Sequence, residues 1–210
     1  MNTLNAPVTS ILLGINILLS LLAFSNTAIR ERMLFWPYKI FNVHQYDRFI
    51  THAWIHSDIG HLGFNMLALF SFGSFAEQMF RSYWGSAGTY LFLTMYLLSI
   101  PLSCLPDYFL MRNKVNYRAL GASGAVSAVI FSAILFNPTG KLYVFFIPMW
   151  NFVFAPLYII LSVVMSKRGG DGVAHRVHLG GAFIGLFFPI VLRPELASEV
   201  FYKIKYFLGL

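Results

Sequence analysis

Apolar residues run along this 210-residue chain in long blocks separated by short polar stretches. Six blocks, at about 8–24, 60–80, 87–105, 119–136, 145–165 and 173–192, approach the ~20 residues an α-helix needs to cross a bilayer. Hydrocarbon offers no partner to a backbone N–H or C=O, so each block must be helical if lipid surrounds it. The pattern predicts an all-α, polytopic membrane protein, with 1–192 forming one six-helix bundle and no internal repeat.

Two segments fall outside the blocks. Residues 25–59 carry Phe35, Trp36, Tyr38, Phe41, Tyr46, Phe49 and Trp54. So aromatic a loop is expected in the membrane interface or re-entering the bilayer, where protein satisfies its irregular backbone. Residues 193–210 mix Phe201, Tyr202, Ile204, Tyr206, Phe207 and Leu208 with Lys203 and Lys205. They are predicted to form an amphipathic surface helix.

Composition strengthens the membrane reading. Charged residues make up 11% of the chain, against about 25% in an ordinary soluble domain. Hydrophobic residues reach 58%, which leaves too little polar surface to cover a water-soluble globule. The single cysteine, Cys104, excludes an internal disulfide and a cysteine-based zinc cluster. The net charge of +7 is scattered rather than clustered, which suits lipid headgroups and not nucleic acid. Before the first block there is no Lys or Arg, so that block is expected to be kept as a span and not removed as a signal peptide. Arg30, Arg32, Lys39, Arg48, Arg112, Lys114, Arg118, Lys167, Arg168 and Arg176 share one side of the predicted bundle. Arg81, Lys141, Arg193, Lys203 and Lys205 share the other. By the positive-inside rule alone, the first side is cytoplasmic.

Polar groups inside spans are costly and mark candidate sites. Span two holds His61 and Asn65 on one helical face. Span four opens with Gly121-Ala122-Ser123-Gly124. A serine at a helix start lies among unpaired N–H groups, which would stabilise an oxyanion formed when it attacks a carbonyl. The same small residues also serve plain helix packing. A serine nucleophile needs a base. His178 is the natural one, because Gly181 and Gly185 after it would let span six approach span four closely. Asn65 and His61 offer side-chain donors for an oxyanion, or a structural interhelical bond. No acid completes a triad: Asp58 and Asp171 lie in loops, and Glu77 stands about three turns beyond Asn65. A Ser–His dyad is expected.

Taken together, Gly121-Ala122-Ser123-Gly124, His61-Leu62-Gly63-Phe64-Asn65 and Ala174-His175-Arg176-Val177-His178-Leu179-Gly180-Gly181 with Gly185 resemble the rhomboid family of intramembrane serine proteases, in its bacterial six-span form. The first-loop stretch from Arg48 to His56 and Glu77 at its spacing from Asn65 add to the resemblance. It implies a helix bundle with a water-filled cavity, Ser123 as nucleophile and His178 as general base and then acid. It further implies His61, Asn65 and the Ser123 backbone N–H around the oxyanion, with Gly121, Gly124, Gly181, Gly185, Glu77 and Arg48 as structural support. Substrates would be single-span membrane proteins, admitted past span five and the loop before span six. No metal or cofactor is implied. The expected setting is a bacterial inner membrane, with the site opening to the outer side against the charge count.

Three positions depart from the family pattern. Asp47 stands before Arg48 where Trp is common. Ser127 stands where an aromatic often supports the histidine. The stretch from Glu77 to Gly85 is long. Two other readings share these residues: a catalytically inactive rhomboid-like protein that binds membrane clients, and a metal or haem protein ligated by His52, His56, His61, His175 and His178. Intramembrane polar residues lining a channel or transporter pathway are a further alternative.

Overall fold

Pro7 stands in a helix's first turn, where proline is tolerated, and opens the first of ten helices among the described residues, which are 6–144, 146–168 and 173–210 of a computed structural model. In chain order they are α1 (Pro7–Ser25), α2 (Thr27–Met33), α3 (Pro37–Val43), α4 (Arg48–Thr51), α5 (Ile59–Trp84), α6 (Ala87–Met111), α7 (Ser123–Phe136), α8 (Asn151–Arg168), α9 (His175–Leu192) and α10 (Glu195–Phe207). Five of them, α1, α5, α6, α8 and α9, are long and apolar enough to cross a membrane. The chain is an all-α polytopic membrane protein but for one hairpin.

Helix α7 is the axis. It packs against α5, α6 and α9, and all of it except Ser123 and Ile130 is buried. At 14 residues it is about 21 Å long, short of the ~30 Å hydrocarbon core. A helix this short need not reach both surfaces when its neighbours enclose it. Its last carbonyls are met by α10: the Lys203 ammonium donates to the Phe136 carbonyl at 3.3 Å, a cation at the negative end of the helix dipole. Leu196 buries α10 against the bundle, and Tyr83 donates to Glu199 at 2.9 Å.

Glu77 does for α1 what Lys203 does for α7. Its buried carboxylate accepts from the Val8 N–H (3.1 Å), the Thr9 N–H (2.8 Å) and the Thr9 hydroxyl (2.8 Å). A carboxylate there satisfies N–H groups that the helix cannot, and it pins α5 to α1.

The first loop folds as α2, α3, α4 and a 3-10 turn at His52–Trp54, packed on residues 112–122. Phe35 and Ala119 exchange backbone hydrogen bonds at 2.9 and 3.0 Å, and the Trp36 indole donates to the Val115 carbonyl at 2.8 Å. Arg48, 1% exposed, donates to the carbonyls of Glu31 (3.0 Å) and Leu34 (2.7 Å) and to the Gln45 side chain (2.7 Å). Asp47 pairs with Arg32, which holds its carboxyl below the ordinary aspartate value. The anchor of this loop is therefore Arg48 itself.

Several element boundaries differ from the apolar blocks. Residues 119–122 are not helical: Ala119 is bridged to Phe35, and Gly121 at φ +117° excludes a right-handed helix until Ser123. Helix α6 runs beyond residue 105 to Met111, over Pro106 and Asp107. The block at 145–165 splits. An antiparallel hairpin of β1 (Lys141–Val144) and β2 (Ile147–Trp150) comes first, and α8 starts only at Asn151. An apolar run does not by itself separate strand from helix, and Tyr143, Val144, Ile147 and Trp150 favour the strand. Phe145 and Asp171 lie outside the described residues.

Candidate active site

The path into α7 is built from three histidines and one glycine. The Gly121 N–H donates to the His52 carbonyl at 3.0 Å. The Ala122 N–H donates to His56 Nε2 at 3.4 Å, while His56 Nδ1 bonds the Ser20 hydroxyl at 2.8 Å. The His61 ring lies where a Cβ on Gly121 would fall, 2.7 Å from the ring carbon. Gly121 is thus required twice, for its positive φ and for this contact. The chain then turns into α7 with Ser123 as its first residue and no side-chain cap at Ala122. The first N–H groups of α7 have no intrahelical acceptor, and Ser123 is the residue that opens that turn.

Helix α9 brings the partner. A Cβ on Gly181 would collide with the Gly124 carbonyl oxygen, and one on Gly185 with the Ala128 carbonyl oxygen. Gly180 lies on the Ser103 backbone of α6, and Gly124 itself lies against Ser103 and Val177. Backbone therefore meets backbone along this seam, and His178, one turn before Gly181, falls opposite Ser123. Its Nε2 is 2.8 Å from the Ser123 hydroxyl oxygen, hydrogen-bonding distance for a serine and a base. The His175 ring stands 6.0 Å from that of His178, edge on.

Both groups open into a cavity of about 570 Å³ between α5, α7, α8 and α9. Asn65, His61, Ser127 and Tyr158 line it, with Ser57 and Arg118 at the loop end. Asn65 Nδ2 donates to the His61 carbonyl one turn back at 3.0 Å, which leaves its second N–H available to the cavity. His61 is tied on its other side. The Ser57 hydroxyl donates to Asp58 at 2.6 Å, and its oxygen lies 3.0 Å from His61 Nδ1. With the Ser57 proton committed to Asp58, His61 carries its proton on Nδ1. A neutral ring then shows a lone pair at Nε2.

The sequence-derived candidates thus divide by place. Ser123, His178, Asn65 and His61 share one cavity. Gly121, Gly124, Gly181 and Gly185 are contact points that bring the elements together. Glu77 and Arg48 lie away from the cavity, Glu77 on α5 against the start of α1 and Arg48 in the first loop. Among the described acids, Asp58 is held by Ser57 and the His61 N–H, Glu77 by α1, and Asp107 by Tyr117 and Arg176. Among the described residues no three His, Cys, Asp or Glu side chains are grouped as for a metal ion. His52 instead bonds the Arg48 carbonyl and Cys104, and His56 bonds Ser20 and Ala122.

Sequence reasoning missed Tyr158. Position 127 is a serine, and its hydroxyl lies 3.0 Å from the Tyr158 hydroxyl. An aromatic ring enters the cavity from α8, where it also packs on Phe131 at 5.2 Å. A lone tyrosine within an apolar block was the available signal. Ser57 and the Asp107–Arg176 pair were missed as well, although Asp107 is an acid set among apolar residues.

The family model of the Rhomboid domain matches residues 43–195. "RHOMBOID-like protein 12, mitochondrial" of Arabidopsis thaliana is 30% identical over 144 residues, covering 64% of this chain and 43% of that protein. The human "Presenilin-associated rhomboid-like protein, mitochondrial" is 28% identical over 137 residues, 63% of this chain and 34% of its own length. "Rhomboid protein 1, mitochondrial" of Saccharomyces cerevisiae is 28% identical over 146 residues, 66% and 40%. The match thus spans less than half the length of these relatives. Their names are mitochondrial, which does not fit the expected bacterial inner membrane.

Proposed function

The chain belongs to the rhomboid family, and from that premise we propose that it is an intramembrane serine endopeptidase with Ser123 as nucleophile and His178 as its base. One observation carries the reading: the 2.8 Å contact between Ser123 Oγ and His178 Nε2, inside a cavity walled by membrane helices. Ser123 Oγ attacks the scissile carbonyl carbon, and its proton passes to His178 Nε2. The carbonyl oxygen becomes an oxyanion beside the α7 N-terminus, where the Ser123 N–H and the second N–H of Asn65 stabilise it. His178 then gives the proton to the departing amine as the peptide C–N bond breaks. Water, deprotonated by His178, releases the acyl group. His61 contributes at Nε2 only as a doubly protonated ring, so Asn65 and the backbone carry most of the oxyanion charge. Among the described acids, Asp58, Glu77 and Asp107 are held elsewhere and do not serve the dyad. The α9 seam and the cavity wall orient His178.

The substrates in this reading are single-span membrane proteins, and the cavity opens to the outer side of the membrane. Lipids contact the exposed faces of α1, α5 and α8, and neither nucleic acid nor a cofactor has a part. A fluorophosphonate probe on the detergent-solubilised full chain tests the chemistry. Labelling is expected in the native protein, absent in Ser123→Ala and strongly reduced in His178→Ala. Equal labelling of Ser123→Ala would overturn the mechanism. Asn65→Ala should slow turnover of a membrane-helix substrate by roughly ten- to a thousandfold, the scale of a lost oxyanion donor.

A further inference from the structure

The histidine of the pair is set by how α9 begins, and α9 begins on a buried charge. Asp107 lies near the end of α6 and is 1% exposed. A carboxylate removed from water is strongly unfavourable unless it is paired and hydrogen-bonded. Both its oxygens are occupied: the Tyr117 hydroxyl donates to Oδ2 and the Arg176 Nε–H to Oδ1. Burial and the neighbouring carboxylate push the Tyr117 phenol upward, so it stays a donor.

Arg176 is the second residue of α9. A cation at a helix N-terminus opposes the helix dipole, so its place there needs a compensating anion. Asp107 supplies it. Arg176 Nη1 also donates to the Ser166 carbonyl at 3.4 Å, in the last turn of α8. One guanidinium thereby joins α6, α8 and the start of α9. That start has no side-chain cap at Ala174. In a helix, residues two apart lie on nearly opposite faces. Arg176 draws one face of the turn toward α6 and α8, Val177 is buried against Gly124, and His178 faces α7.

We infer that Arg176, held by Asp107, is a positioning residue that keeps the first turn of α9, and with it His178, in register with Ser123. The inference rests on the proposed roles of Ser123 and His178. It also accounts for Ser127: where no aromatic on α7 steadies the histidine, an ion pair steadies the turn that carries it. A rotation of that turn by ~1 Å at the imidazole is enough to cost about a hundredfold in rate.

The test uses the purified full chain in detergent, with three measurements: fluorophosphonate labelling rate, kcat and KM on a membrane-helix substrate, and the thermal unfolding midpoint. Arg176→Gln should lower kcat and labelling by about a hundredfold with KM little changed. Arg176→Lys, which keeps the charge, should recover at least about tenfold of that loss, and Asp107→Asn should fall in the same range as Arg176→Gln. The double variant Asp107→Asn, Arg176→Gln should be no worse than Arg176→Gln, because the two act as one unit. A folded Arg176→Gln protein that labels at the native rate would overturn the inference, as would losses that multiply in the double variant. If Arg176→Gln does not fold, the double variant decides, since it leaves no unpaired buried charge: native kcat there overturns the inference and a large loss supports it. Probe labelling that persists in Ser123→Ala would instead refute the proposed nucleophile, a failure separate from that of Arg176.

Discussion

The α7–α9 seam and the attachment of α8 are built by opposite means. Along the first, Gly181 and Gly185 let one backbone rest on another, so the fit leaves no room for adjustment. Helix α8 rests mainly on α9, has few buried residues, and meets α7 through side chains. Among the described residues its side-chain ties include the Tyr158–Ser127 contact, Arg176 on the Ser166 carbonyl, and Asn151 Nδ2 donating to the Asn137 carbonyl at 2.7 Å. Backbone bonds from Asn151 to Gly140 and from Phe152 to Pro138, each 2.9 Å, hold only its first turn. Backbone contacts hold a geometry in which a fraction of an ångström matters. Side-chain ties can be exchanged for contacts with a substrate. The proposed proteolytic role needs both, a fixed Ser–His pair and a wall that yields.

The largest effect should come from the fixed seam. Gly181→Val drives a branched side chain into the Gly124 carbonyl. It should separate Ser123 from His178, lower turnover by about a hundredfold or more, and destabilise the fold by roughly 1–3 kcal/mol. Kinetics and thermal unfolding of the purified variant check this. If Gly181→Val turned over like the native chain, the rigid half of the comparison would collapse.

Acid should attack the same half next, from its upper end. Burial pushes His52 down to about 4, and burial together with His61 pushes His56 down to about 4, against an ordinary 6.5. Both are neutral in the folded chain near neutral pH, and His56 accepts the Ala122 N–H at the start of α7. The unfolded chain binds these protons first. Stability is therefore complete above pH 6.5 and falls as pH drops from there toward 4. Each histidine contributes a slope of at most about 1.4 kcal/mol per pH unit in that window. Unfolding midpoints at pH 7.5, 6 and 5 should decline, and His56→Gln should flatten the decline. An unchanged midpoint at pH 5 would contradict it.

The smallest effect belongs to α8. Tyr158→Phe removes one hydrogen bond to Ser127 and keeps the ring. It should cost about 1 kcal/mol in stability or less, and change fluorophosphonate labelling by less than about fivefold. A loss as large as that of Gly181→Val would place Tyr158 in the rigid part of the site and show that α8 is held as tightly as the α7–α9 seam.

Much of the candidate site's residue set was legible before folding. Ser123 stood in a run of small residues, His178 came one turn before a small-xxx-small pair, and Asn65 and His61 were polar groups in an apolar block. Each signal is local and each carries its own physical cost in lipid, so a linear reading finds it. Tyr158, Ser57 and the Asp107–Arg176 pair were not found. Tyrosine is ordinary in a membrane helix, Ser57 lies in a loop, and the cost of burying Asp107 is cancelled by Arg176, 69 residues away. The hairpin at 141–150 was missed because its apolar composition serves a strand as well as a helix.

The sequence by itself determined that the chain lives in lipid, that its long blocks are mostly helical, and which few polar residues must have partners there. Those are consequences of solvent and of local periodicity. Tertiary structure alone decided which partners they have. It set α7 short and enclosed, laid α9 against it backbone to backbone, and brought Tyr158 to Ser127 and Arg176 to Asp107. Contacts of that kind depend on the relative rotation of helices far apart in sequence, and no local pattern encodes a rotation.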